Sequence, residues 1–142
     1  MCQEQAIGRS RGGPSTKIHL IVDALGLPLS FEITEGQRHD TQPAPKLIAR
    51  CAPRCLLADK AYDSNAIRTQ LSEMNAVAVI PSKANRLPQI PHDRHQYKER
   101  SAVECTINLF KNARRFATRY EKTVRNDASI VALAGSLCWL RI

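Results

Sequence analysis

A mixed α/β fold is predicted for this chain by three observations. Two β-branched, alternating stretches flank a four-residue turn, two short apolar runs bracket an amphipathic helix, and the last third of the chain carries helical periodicity. The length of 142 residues suits one domain, and 43% hydrophobic content is enough for a single compact core.

Residues 1–15 are rich in Gly, Arg and Ser without any period, so a basic loop or ragged N-terminal segment is expected there. Residues 16–23 and 28–35 alternate, with Ala24, Leu25, Gly26 and Leu27 between them; this predicts a β-hairpin with Asp23 leading into its turn. A polar connection at 36–41 leads to a weak helix over 42–51, for which Asp40 is a suitable cap. His39 and Asp40 also stand just past a strand end, where folds of this class place functional groups.

Residues 55–58 form a short apolar strand that ends at Asp59. Residues 64–74 place Ile67, Leu71 and Met74 at helical spacing, with Asp63 or Ser64 as cap, and 76–80 give a further strand closed by Pro81. Strand, helix, strand in that order implies a parallel pair. A carboxylate at the C-terminal end of such a strand is well placed for a ligand site. Residues 82–96 lack a period and should form an exposed basic loop.

From residue 97 to 120 the chain reads as mostly helical. At about 100° per residue, Tyr97, Arg100, Glu104 and Lys111 fall on one narrow stripe, opposite Val103, Ile107, Leu109, Phe110, Ala113 and Phe116. The polar edge is one acid among three groups able to bind phosphate, although a solvated helix face has the same appearance. Residues 126–140 supply a last helix with Ile130, Leu133, Leu137 and Leu140 on one face and Trp139 anchored to the core.

The net charge of +8 is uneven. Residues 82–125 hold eleven Lys and Arg against four acids, while the remainder holds ten against nine. Such a surface attracts a polyanion, and nucleic acid is the usual one. Residues 1–14 lack the apolar run of a signal peptide, and residues 130–140 are too short to span a bilayer, so a cytoplasmic protein with no membrane partner is expected. The five cysteines are then expected as reduced thiols. Cys51 and Cys55 with His92 and His95 would make a zinc site, but His-x2-His falls outside the usual finger spacing.

The spacing Tyr-x2-Arg-x3-Glu-x6-Lys, at Tyr97, Arg100, Glu104 and Lys111, resembles the C-terminal signature of the DDE transposases of bacterial insertion sequences. Leu-Leu-Ala-Asp-Lys-Ala-Tyr-Asp-Ser at 56–64 resembles the strand and turn that carry that family's second catalytic Asp, and 8–13, 16–19 and 36–40 are similar to further blocks of it. The likeness runs from about Ala6 to the C-terminus. One part of the pattern is missing: the first catalytic Asp lies on a strand upstream of the 8–13 block, and none of the seven residues before Gly8 is Asp.

The resemblance implies an RNase H-like mixed sheet with flanking helices over 16–142, lacking its first, central strand. It implies DNA transposition by Mg²⁺- or Mn²⁺-dependent phosphodiester cleavage and strand transfer, with Asp59 and Glu104 as catalytic metal ligands of a two-metal site in the complete enzyme. Tyr97, Arg100, Lys111, Arg114 and Arg115 would hold DNA, and His39, Asp40 and Asp63 would border the site. Expected partners are the insertion-sequence ends, the target DNA, a second copy of the chain and an upstream-frame product. A truncated or second-frame fragment without activity of its own is expected, because the first Asp and its strand are absent. A non-catalytic DNA-binding or regulatory remnant, or a nuclease of the same fold, remains as an alternative.

Overall fold

The computed structural model describes residues 8–10, 13–112 and 124–140, with side chains over 16–112 and 128–140. The chain is mixed α/β and divides into two compact units, Met1–Arg38 with Ala102–Ile142, and His39–Ser101.

In the first unit, β1 (Gly8–Ser10), β2 (Gly13–Val22) and β3 (Pro28–Glu35) form an antiparallel sheet in that order. The hairpin follows the alternation, with Thr16 opposite Glu35 and Leu20 opposite Phe31, and the register shifts between Ile21 and Val22. His19 and Thr34, diagonal neighbours on the buried side, meet at 2.9 Å. β1 replaces part of the loop expected over 1–15: Gly8 faces Ser15 and Ser10 faces Gly13, so backbone pairing supplies the order that side-chain periodicity does not signal.

Asp23 organises the hairpin turn, its Oδ1 accepting from the N–H groups of Leu25 and Leu27 at 2.9 and 2.8 Å. Gly26 adopts φ 82°. Its carbonyl accepts from the Thr106 hydroxyl of α4 (Ser101–Asn112), so the turn is tied to the helix. On α4 the buried residues are Thr106 and Phe110, while Leu109 is exposed.

The last helix, α5 (Val124–Trp139), packs on β3 through a different face from the one expected. Val131 and Gly135 are buried, whereas Leu133, Leu137 and Leu140 are exposed. Gly135 sets the rotation, since a Cβ built there already reaches Pro28 Cβ at 3.6 Å, and bulkier leucines cannot occupy so close a contact. Trp139 Nε1 donates to Pro28 O at 3.0 Å, which fixes the end of α5.

In the second unit, α1 (Ala44–Cys51) packs on α2 (Asn65–Glu73), and α2 packs on β5 (Val77–Val79), which pairs in parallel with β4 (Cys55–Leu57). Leu47, Ile48, Ile67, Leu71, Val79 and Ile80 are buried. The strand, helix, strand reading is therefore observed. Asp40 does not cap α1. Pro43 stands at that position without a side-chain cap, and Pro45 in the first turn removes one of the N–H donors that an acid would accept from. Ser64 caps α2, its Oγ accepting from Ile67 N at 3.3 Å.

The stretch read as a loop over 82–96 ends in a short helix, α3 (Arg94–Tyr97), capped by Asp93. A 3₁₀ turn, Lys98–Arg100, then separates α3 from α4. The continuous helix expected from Tyr97 is thus broken, and its residues 113–120 lie outside the described residues. Among the described residues no helix is long and apolar enough to cross a membrane.

Candidate metal and nucleic-acid site

Asp59 stands at the C-terminal end of β4, just beyond the bond from Ala58 N to Val79 O at 3.3 Å that extends the parallel pair. It opens the 3₁₀ turn Lys60–Tyr62 through its backbone in an extended conformation, and its carboxylate makes no cap. That carboxylate is 48% exposed, with Arg100 Nη1 3.8 Å from Oδ2. A strand end thus presents a solvent-accessible, hard oxygen donor next to one cation.

The Arg100 guanidinium lies 5.3 Å from the centroid of the Tyr97 ring, and His92 meets the same ring edge-on at 5.3 Å. The 3₁₀ turn explains the first contact, because side chains three apart eclipse in that geometry. Tyr97 and Arg100 belong to one compact unit, whereas Glu104 and Lys111 belong to the other. On α4 itself Glu104 and Lys111 are both exposed and, two turns apart, share a face. Arg114 and Arg115 lie outside the described residues.

His39 is exposed, its carbonyl accepting from Gln42 N at 3.1 Å. Asp40 is half-buried and reaches the site electrostatically. Burial pushes the Tyr62 phenol above its usual range, and the negative charges of Asp40 and Asp59 push it further. Both acids therefore act on one ring.

Asp63 has a different environment. Its side chain is fully buried; Oδ1 accepts from Arg68 Nε at 2.7 Å, and Oδ2 accepts from Arg86 Nε at 2.7 Å and from Lys83 N at 2.8 Å. Burial by itself would raise its pKa, but the Lys83 N–H and the two guanidinium groups more than offset this and hold it at about 2. Arg86 also donates to Asn65 Oδ1 at 2.8 Å, and Arg68 to Ile80 O at 2.9 Å. With three donors on two oxygens, Asp63 is committed to structure rather than to a metal.

Sequence reasoning missed this hub. The only signal was the placement of an acid after the Asp59 turn with arginines 5 and 23 residues further on, a separation that no helix or strand period connects. Among the described residues no three His, Cys, Asp or Glu side chains gather into a group able to hold a metal ion, the zinc quartet included. Cys55 Sγ instead lies 3.9 Å from Gln96 Oε1.

The family model described as "Transposase DDE domain" matches residues 3–139. A relative from Brucella ovis, named for the transposase of insertion sequence element IS6501, is 37% identical over 129 residues, covering 89% of this chain and 99% of the relative. A second, from Burkholderia cepacia and named for the transposase of insertion sequence element IS402, is 28% identical over 142 residues; the match covers 91% of this chain but only 65% of that relative. No solved structure matches. The chain belongs to the DDE transposase family of insertion sequences.

Proposed function

We propose that the chain supplies the second and third carboxylates, Asp59 and Glu104, of a DDE transposase that cleaves phosphodiester bonds at insertion-sequence ends and joins them to target DNA. The observation that carries this reading is the Asp59 carboxylate, exposed at the end of a parallel strand with a guanidinium 3.8 Å away. Divalent ions, Mg²⁺ or Mn²⁺, when bound as a pair, would activate the attacking oxygen and stabilise the leaving one. Asp59 and Glu104 fit such ions as exposed oxygen donors; Asp63 does not, since its oxygens are taken.

The basic groups have a separate part. Arg100 takes a DNA phosphate bidentately, Lys111 holds another as a point charge, and Tyr97 stacks on a base or bonds a phosphate. We assign Arg114 and Arg115 to DNA binding as well, and His39 and Asp40 to the border of the acids. We read the fold as RNase H-like and the compartment as the cytoplasm. The first acid and the central strand we assign to an upstream-frame product, on the ground that a two-metal site needs more than two carboxylates to offset four positive charges. A second copy of the chain is the further partner, because an insertion sequence has two ends.

The test is transposition of the element from a donor plasmid in its own sequence context. Asp59→Asn and Glu104→Gln should each abolish excision, while binding of the purified variants to duplex DNA stays unchanged. Excision retained in either variant would remove that residue from the site.

A further inference from the structure

The buried Asp63 hub does more than stabilise the second unit, because two of its three donors come from one loop. Lys83 N and Arg86 Nε both end on Oδ2. The loop is also closed on itself: Ser82 Oγ accepts from Ile90 N at 2.9 Å and donates to Ile90 O at 3.2 Å, and Gln89 Nε2 donates to the carbonyls of Lys83 and Arg86 at 2.9 and 2.7 Å. Residues 82–90 are therefore held as a fixed shape.

Beside it lies an open depression of about 350 Å³, lined by Asp59, Lys60 and Ala61 together with Lys83, Ala84 and Asn85 of the loop. That volume lies at the lower end of the roughly 300–1,000 Å³ usual for ligand clefts. The guanidinium groups nearby are committed, Arg68 to Asp63 and Ile80 O, Arg86 to Asp63 and Asn65. Among the described residues the ammonium groups of Lys60 and Lys83 and the amide of Asn85 have no such partner. An anion beside Asp59 is repelled by its carboxylate unless cations offset the charge, and these two lysines are placed to do so.

The geometry points to a phosphodiester subsite in this depression, in which Lys60 and Lys83, with the Asn85 side-chain amide, take the oxygens of a backbone phosphate of the DNA strand that lies against Asp59. The side chains between the polar groups are alanines, so no aromatic ring lines the depression for a base to stack on, and the contact positions the strand without reading its sequence. Asp63 is a positioning residue of this subsite: it touches no DNA and holds the loop that carries Lys83 and Asn85. The inference rests on the transposase reading, and its test separates the two.

The full chain is labelled with nitrogen-15 and titrated with a 20-base-pair duplex, and affinity is measured between 50 and 200 mM salt. Amide shifts are expected at residues 60–61 and 83–86. Each neutralised phosphate contributes about 0.9 to the slope of log affinity against log salt, so Lys60→Ala with Lys83→Ala, which removes the one phosphate contact they share, should lower the slope by about one, equally for duplexes of unrelated sequence. Arg54→Ala, an exposed charge change outside the depression, should alter it by less than about half a unit. The dispersed spectrum of each variant confirms that it is folded. Undiminished slope in the double variant, with binding intact, overturns the subsite and leaves the transposase reading standing; an equal loss in Arg54→Ala overturns it as well. A wild-type chain that binds no duplex overturns both.

Discussion

Arg86 Nε lies 2.7 Å from Asp63 Oδ2, in a pair whose carboxylate is fully buried while the guanidinium keeps 19% of its surface in solvent. The asymmetry decides which partner matters more. Removing Arg86 leaves Asp63 with Arg68 and the Lys83 N–H, whereas removing the Asp63 charge leaves two guanidinium groups and a backbone donor without their acceptor. Asp63→Ala is therefore expected to lower unfolding free energy by about 3 kcal/mol and Arg86→Ala by about 1–2 kcal/mol. Urea denaturation measures both; a smaller loss for Asp63→Ala than for Arg86→Ala would show that the hub is not centred on the acid.

The same carboxylate sets a pH dependence. Its pKa falls from the ordinary 3.8 to about 2 in the folded chain, so folding favours the ionised form. That contribution is complete above about pH 4 and is lost as pH falls through about 2. Over this window it amounts to roughly 2 kcal/mol. The difference in stability between the native chain and Asp63→Asn should shrink between pH 4 and pH 2; a constant difference across that range would contradict the assignment.

The hairpin and the β4, α2, β5 unit were legible because their signals are local. Alternation runs through residues 16–22, and Ile67 and Leu71 recur at helical spacing. Asp59 was legible for the same reason, as an acid directly after a short apolar run. The signals that failed depend on distant partners. Pairing of Gly8–Ser10 is a backbone property that glycine and serine do not advertise. The rotation of α5 is set by the approach of Gly135 to Pro28, more than a hundred residues away in sequence, and the leucine stripe gave no hint of it. The Asp63 hub likewise joins residues whose separation is fixed only by the folded chain.

Gly26 should tolerate no side chain. Its φ of 82° is costly for an L-residue, and an added Cβ would stand 3.1 Å from Thr106 Oγ1 and 3.3 Å from Ala102 O. The hydroxyl can shift, but the helix carbonyl cannot without moving α4. Gly26→Ala is expected to cost about 1–3 kcal/mol, and Thr106→Val about 1–2 kcal/mol through loss of the bond to the Gly26 carbonyl. Thermal unfolding of the two single variants and the double measures their coupling. Strict additivity would mean that the turn and the helix do not act on each other through this bond.

Arg100 offers the sharpest separation of structure from function. Its pair with Asp59 is 3.8 Å long, and the two side chains are 31% and 48% exposed, so the ion pair contributes no more than about 1 kcal/mol. Its place by the Tyr97 ring, 5.3 Å from the centroid, adds about 0.5–1 kcal/mol. Arg100→Ala is therefore expected to leave the chain folded, with Tm lowered by a few degrees, while affinity for duplex DNA and excision both fall at least about tenfold. Arg100→Lys discriminates between a positive charge and a planar fork. Lysine keeps the attraction to Asp59 but cannot grip a phosphate through two parallel N–H bonds, so it should restore stability almost fully and DNA affinity only in part. If Arg100→Lys excises the element as well as the native residue, Arg100 acts as a point charge and its bidentate role is lost. If Arg100→Ala unfolds the chain, its part is structural.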